Sequence, residues 1–388
     1  MNLDVTHPAL SDLRDRARRR MPHFAFEYLD SGTGREQGLA HNRAALDAVR
    51  FKPAILRGEL TPDLSRTTLG FSHPVPFGIA PVGLAGVLWP DAERHLAEAA
   101  ARHRIPYGQS TVAAALPEDT GPIVGDLGWF QHYPVNDPEI RRDMLARIKA
   151  SGWRVLVVTV DVPGESRRER QRRAQVSMPP VMTPRILASI ATSPAWAMGM
   201  ARKGMPTMAF PASYGPQSTG ADSFTHAGRL IRTYPDDAYI EALRAEWDGP
   251  LVVKGVQDPD DADRLIGMGV DAIWVSNHSG RQFEGGPAAL DALPPMVDRV
   301  AGRVPVYFCS GISGGLDILR ALALGADFVF LGKAWYFALA AFGPRGVDHL
   351  VHILKADMEC NMTQIGARSL DDLPSRLIRQ RPAGPVRT

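Results

Sequence analysis

From about residue 76 the chain alternates short apolar runs with helix-length amphipathic stretches. Eight runs stand out: Phe77–Ala80, Ile105–Gly108, Gly128–Gln131, Val155–Val160, Leu251–Lys254, Ala272–Val275, Val304–Phe308 and Phe328–Leu331. Apolar runs bounded by turn residues, with helices between them, predict parallel strands joined by crossovers. Eight such units predict an α/β fold, a (β/α)8 TIM barrel. A doubly wound open sheet would carry a glycine-rich dinucleotide turn after its first strand. Here that position reads Ala80-Pro81-Val82-Gly83, which is not that turn. Crossover helices are legible at Asp91–His103, from Asp258 onward, and at Leu316–Leu324 with Gly325 at the stop.

The pattern predicts a single unit over residues 1–388. Residues 1–70 read as a helical lead-in followed by short irregular structure, 71–340 as the barrel, and 341–388 as a C-terminal helix and tail. Residues 164–250 form a long insertion after the fourth strand. It holds six of the 13 methionines and Trp196. Segments of this length are often lids or binding loops, and a helical cover over the barrel mouth is expected. Residues 186–208, with Arg185 and, within the segment, Arg202 and Lys203, could also make a weak contact with a membrane surface.

Composition narrows the function classes. A net charge of +2 gives no case for nucleic acid as a partner. Cys309 and Cys360 make neither a disulfide framework nor a zinc spacing. His349 and His352, three apart and lacking a third ligand, read as surface histidines, so no metal is expected. No apolar stretch reaches the length of a spanning helix, and the N-terminus has no apolar signal core. A cytoplasmic protein, peripheral to a membrane at most, is the expectation.

Sites in such barrels are built at the carboxyl ends of the strands. Those ends carry Gly83, Ser110, Gln131 and Tyr133, Thr159 and Asp161, Lys254, His278 and Arg281, Ser310, then Gly332 and Lys333. The fullest cluster is Ser276-Asn277-His278-Ser279-Gly280-Arg281-Gln282. A histidine can take a proton near neutral pH, and an arginine can grip a carboxylate with two parallel hydrogen bonds. Asp161 ends an apolar strand and needs a cationic partner, which a protonated His278 would supply. Lys254 is a fixed cation able to stabilise developing negative charge. The turns at Ser310-Gly311 and Gly332-Lys333 follow the seventh and eighth strands, a frequent phosphate position.

Over residues 8–373 the chain resembles the FMN-dependent (S)-2-hydroxy acid oxidases and dehydrogenases, which include glycolate oxidase, flavin lactate dehydrogenases and mandelate dehydrogenase. The signature at 276–282 is followed by Pro287-Ala288 and Leu290-Asp291-Ala292-Leu293-Pro294. Further matches are Asp30-Ser31-Gly32 with Asn42-Arg43, Ile79-Ala80-Pro81, Phe130-Gln131, Thr159-Val160-Asp161, Lys254-Gly255 and Ala321–Ala326. The resemblance implies FMN, a small 2-hydroxy acid substrate, and a quinone, protein or oxygen as electron acceptor. It implies a homo-oligomer, a tetramer in the family. His278 would be the base, supported by Asp161. Arg168 and Arg281 would clamp the substrate carboxylate, with Tyr28 as a second contact and Tyr133 donating its hydroxyl near the reacting oxygen. Lys254 would face the N1 and O2 side of the flavin, with Ser276 beside the cofactor. Ser110, Gln131 and Thr159 would bond the ring edge, and the backbone at Pro81, Val82 and Gly83 would approach N5. Ser310, Gly311, Gly332 and Lys333 would lie near the ribityl phosphate.

Four departures from the family pattern bear on this. Cys309 stands at the usual aspartate, Ser313-Gly314 lacks the usual arginine, and Lys333 replaces arginine after Gly332. Val112 replaces the bulky aromatic that glycolate oxidase has after Ser110-Thr111, which leaves room for a larger substrate. Two alternatives stay open: a flavin enzyme with a non-standard substrate such as a modified peptide, and a catalytically silent flavin barrel.

Overall fold

The computed structural model describes residues 2–164, 166–176, 181–215, 230 and 234–378. Eight parallel strands close a barrel in sequence order, with β8 returning to β1. They are β1 (Phe77–Ile79), β2 (Tyr107–Ser110), β3 (Gly128–His132), β4 (Val155–Thr159), β5 (Leu251–Val256), β6 (Ala272–Val275), β7 (Val306–Cys309) and β8 (Phe328–Leu331). The lead-in holds α1 (Leu10–Arg20), α2 (His23–Asp30) and α3 (Gln37–Ala48). Crossovers follow as α4 (Ala92–His103), α5 (Pro117–Val124) and α6 (Pro138–Ala150). The insertion contributes α7 (Glu169–Arg173), α8 (Pro184–Ala191) and α9 (Pro194–Lys203). The barrel resumes with α10 (Asp237–Glu246), α11 (Asp260–Gly267), α12 (Ala289–Val300), α13 (Gly315–Ala323) and α14 (Lys333–Phe342), and α15 (Pro344–Ile365) packs outside.

The period-2 alternation of each strand sorts its residues between two cores. Ile273 and Val275 of β6 face the helices, whereas Ala272 and Trp274 face the interior. Trp129, Trp274, Tyr307, Phe328 and Phe330 fill the lower interior, with Trp274 and Phe330 centroids 4.1 Å apart and Trp129 and Phe330 5.0 Å apart. One step further along the same inward series stand Gln131, Thr159, Lys254, Ser276, Cys309 and Gly332. Strand periodicity alone therefore carries polar and small residues to the mouth.

Boundaries differ from the sequence reading where backbone chemistry intervenes. β2 begins at Tyr107 rather than Ile105, because Pro106 has no N–H to pair and serves only through its carbonyl, which accepts from Ile79. β5 runs two residues past Lys254 through an irregularity at Gly255. Residues 66–73 form a small antiparallel hairpin, Arg66–Thr68 against Phe71–His73, in a stretch expected to be irregular. Asp91 precedes α4 but makes no capping bond; its carboxylate turns to Lys203 of the insertion, at 2.8 Å.

The described part of the insertion is helical and docks through Trp196. This ring is buried, meets Phe24 of α2 edge-on at 5.7 Å, and donates to the Val87 carbonyl at 3.0 Å. Phe210 seats against Phe130 of β3. Val181, Met182, Leu187, Met198 and Met205 stay exposed. No described helix is long and apolar enough to cross a membrane.

Candidate active site

A cavity of about 700 Å³ opens at the carboxyl ends of the strands. Every site residue expected from the sequence lines it except Asp161, which stands behind His278. One end gathers Tyr28, Tyr133, Arg168, His278 and Arg281. The deep side carries Ser110, Gln131, Thr159, Lys254 and Ser276. The far end is formed by Ser310, Gly311, Gly332 and Lys333, with Leu10 and Arg14 of the lead-in closing over it.

The turn that presents His278 is held by its own neighbours. His278 and Ser279 sit at φ 53° and 55°, each a cost of roughly 1–3 kcal/mol for a non-glycine residue. Ser276 Oγ accepts from the His278 amide at 3.0 Å, and Ser310 Oγ from the Ser279 amide at 3.1 Å. Asn277 exchanges two amide hydrogen bonds with Asn42 of α3, at 2.9 and 2.7 Å. The lead-in therefore fixes the His278 turn from outside the barrel.

His278 Nδ1 lies 3.1 and 3.2 Å from the two oxygens of Asp161. A carboxylate can only accept, so Nδ1 carries the proton and the Nε2 lone pair is left for the cavity. Burial lowers the His278 pKa to about 4; Asp161 opposes that fall, and Lys254 adds to it. Burial raises the Asp161 carboxyl, but His278 and Lys254 outweigh it and hold the group below its ordinary value. At neutral pH the pair is an imidazole beside a carboxylate, the state in which a base can accept. Gly255 makes room for it: at φ 105°, a Cβ there would lie 2.5 Å from Asp161 Cβ.

Arg281 uses one edge of its guanidinium structurally. Nη1 donates to the carbonyls of Tyr28, Leu29 and Ser31 at 2.7, 3.2 and 3.2 Å, the C-terminal end of α2. Its other edge bonds no described residue. Burial, then Arg168, lowers its pKa to about 10, so it remains charged at neutral pH. Arg168, at φ 43°, is held through Ser166 Oγ at 2.9 Å and through the Gln282 amide oxygen. The Tyr28 hydroxyl donates to the Gly83 carbonyl at 3.1 Å. The Tyr133 hydroxyl has no partner among the described residues.

Lys254 makes no ion pair; its Nζ is 3.4 Å from Ser276 Oγ. Cys309, at the position of the family's usual aspartate, is buried and lines the cavity, with Sγ 3.1 Å from Ser276 Oγ. Lys333 Nζ turns onto the carbonyls of Asp30 and Ser31 at 2.7 and 3.4 Å, and burial lowers its pKa to about 7. Arg43 of α3 occupies the space beside Ser313, donating to Ser313 Oγ at 2.7 Å and to both oxygens of Asp317.

Sequence reasoning missed the ionic lattice behind the clamp. Arg170, two residues after Arg168, bonds Glu27, Asp30 and Glu36, and Arg14 bonds Asp30 at 2.7 and 2.9 Å. Only the run of arginines at 167–173 hinted at it. His349 is buried, not superficial, with Nε2 2.8 Å from the His7 carbonyl. Among the described residues no cluster could hold a metal ion.

The donor set suits a flavin. Gln131 Nε2 is buried in the cavity wall without a protein partner, while Gln131 Oε1 accepts from Ser110 at 2.7 Å. An orphaned buried N–H donor is costly unless a ligand accepts from it. Gly83 keeps the adjoining wall open: a Cβ there would lie 2.5 Å from Val112 Cγ2.

Comparison with known proteins agrees. Residues 17–380 match the family described as FMN-dependent dehydrogenase. The chain is 37% identical over 373 residues to an L-lactate dehydrogenase of Haemophilus influenzae (strain PittEE), covering 95% of this chain and 97% of that one. It is 37% identical over 372 residues to an L-lactate dehydrogenase of Ectopseudomonas mendocina, covering 95% and 98%. Among solved structures, the monotopic membrane protein (S)-mandelate dehydrogenase superposes with a TM-score of 0.90 at 32% identity, over 96% of this chain and 99% of that one. A mandelate oxidase superposes with a TM-score of 0.80 at 30% identity, over 96% and 98%. The chain belongs to the FMN-dependent dehydrogenase family.

Proposed function

We propose that this enzyme oxidises an (S)-2-hydroxy acid to the 2-oxo acid. The observation that carries the reading is one cavity holding a neutral imidazole backed by a part-buried carboxylate and, beside it, two guanidinium groups. FMN, when bound, supplies the two-electron acceptor. Gln131, Ser110, Thr159, Lys254 and Ser276 would hold its ring, and the backbone at Gly311 and Gly332 with Lys333 its phosphate end. Arg281, through its free edge, and Arg168 grip the substrate carboxylate. Tyr133 donates its hydroxyl to the reacting oxygen, and Tyr28 closes the carboxylate site. His278 Nε2 takes the substrate's proton, and Asp161 stabilises the imidazolium that forms. Val112 leaves room for a substrate side chain larger than a methyl group.

The exposed apolar residues of the insertion, flanked by Arg185 and Arg202, support a peripheral association with a membrane. Together with the monotopic neighbour they favour a membrane quinone as acceptor.

Anaerobic titration of the yellow protein with L-lactate, (S)-mandelate and related acids tests the reading. Bleaching by at least one is expected. His278→Ala should keep its flavin colour and lose bleaching. A variant that still reduced its flavin at the native rate would remove His278 from the mechanism, and a protein bleached by none of these acids would end the proposal.

A further inference from the structure

A second histidine lies one residue before Tyr133, on the outward face of β3. His132 is fully buried, and its Nε2 is 2.8 Å from the hydroxyl of Tyr239. Tyr239 belongs to α10, which lies at the end of the 164–250 stretch and leads into β5. Its amide is capped by Asp236 Oδ1 at 3.0 Å. Its ring lies nearly coplanar with the imidazole, at an interplanar angle of 10° with centroids 6.4 Å apart, and Arg141, paired with Glu246 at 2.8 and 2.7 Å, lies over the phenol ring at 5.2 Å.

The same hydroxyl accepts from the Val135 amide at 2.9 Å. A phenol that accepts from an amide has its own proton to give, and His132 Nε2 is the acceptor in reach. The imidazole is then the Nδ1–H form, and Nδ1 is buried without a partner. Burial, then Arg141, pushes its pKa down to about 3, so the ring stays neutral across the working range. The hydroxyl thus ties residue 132 to residue 135. Between them stands Tyr133, whose amide donates to Thr111 Oγ1 at 3.1 Å and whose hydroxyl meets the cavity unpaired.

We propose that Tyr239 is a positioning residue: its hydroxyl, held between the His132 imidazole and the Val135 amide, fixes the turn that presents Tyr133 to the substrate. The proposal rests on the substrate role given to Tyr133 above. It makes the helix leaving the insertion part of the active-site support.

Tyr239→Phe in the FMN-loaded enzyme tests it, with the ring and its place under Arg141 retained. Amide hydrogen exchange over residues 133–135 should quicken. The rate constant for flavin reduction, with L-lactate or (S)-mandelate, should fall about fivefold, the net worth of one hydrogen bond. That fall should vanish when Tyr133 is already phenylalanine. His132→Leu should reproduce the loss, and His132→Gln, which keeps an acceptor, should restore most of the rate. Unchanged exchange in Tyr239→Phe would overturn the proposal, as would an equal rate loss in the Tyr133→Phe background. Faster exchange with unaltered reduction would leave the tether standing and instead overturn the substrate role of Tyr133.

Discussion

At the scale of single residues, the site is governed by what burial does to charge. His278 ionises near pH 4 in the folded protein and near 6.5 when solvated. The unfolded chain therefore binds the extra proton first as pH falls, and this group's contribution to stability is lost between about 6.5 and 4. With His278 as the proposed base, the neutral form would be the active one, so kcat/KM should stay level through neutrality and fall only as the pH approaches about 4; a pH–rate profile with its acid limb near 6.5 would contradict this. Lys333, near pH 7 without a ligand, should gain a proton when a phosphate dianion arrives. Calorimetric FMN titrations at pH 8 in buffers of different ionisation enthalpy should register up to one proton taken up. Gly255→Ala combines positive φ with contact against Asp161, and backbone strain alone should cost ~1–3 kcal/mol. Denaturant unfolding measures that cost, and slower flavin reduction should accompany it.

At the scale of elements, Trp196 is a central anchor of the insertion. Trp196→Ala removes a buried ring and its bond to Val87, a loss on the order of 3–5 kcal/mol. Limited proteolysis should then cut within 181–215 well before the barrel. All eight strands were legible because each is a short apolar run between turn residues. Their ends were not, because Pro106 and Gly255 act through backbone pairing that hydrophobicity does not register. The hairpin at 66–73 escaped because its pattern is too short to show a period. The polar residues at strand ends were visible one by one. What joins them was not, since Asn42 and Asn277, or Arg170 and Asp30, are far apart in sequence and meet only when α2 and α3 fold over the mouth.

At the scale of the whole molecule, the barrel and its lead-in act as one site. Two cations of the cavity end on α2: Arg281 on the carbonyls of Tyr28, Leu29 and Ser31, Lys333 on those of Asp30 and Ser31. The insertion faces outward with exposed apolar side chains. Replacing Leu187 and Met198 together by serine should weaken co-sedimentation with phospholipid vesicles while flavin reduction in solution is retained. Equal sedimentation of variant and parent would rule out that surface.

The aromatic floor of Trp129, Trp274, Tyr307, Phe328 and Phe330 seals the lower end of the cylinder, and the described cavity opens at the carboxyl ends of the strands. In the proposed reaction, hydroxy acid, oxo acid and oxidant would all use that mouth and so take turns at one threshold. Steady-state plots at several fixed oxidant concentrations should accordingly run parallel, each reactant departing before the next can enter.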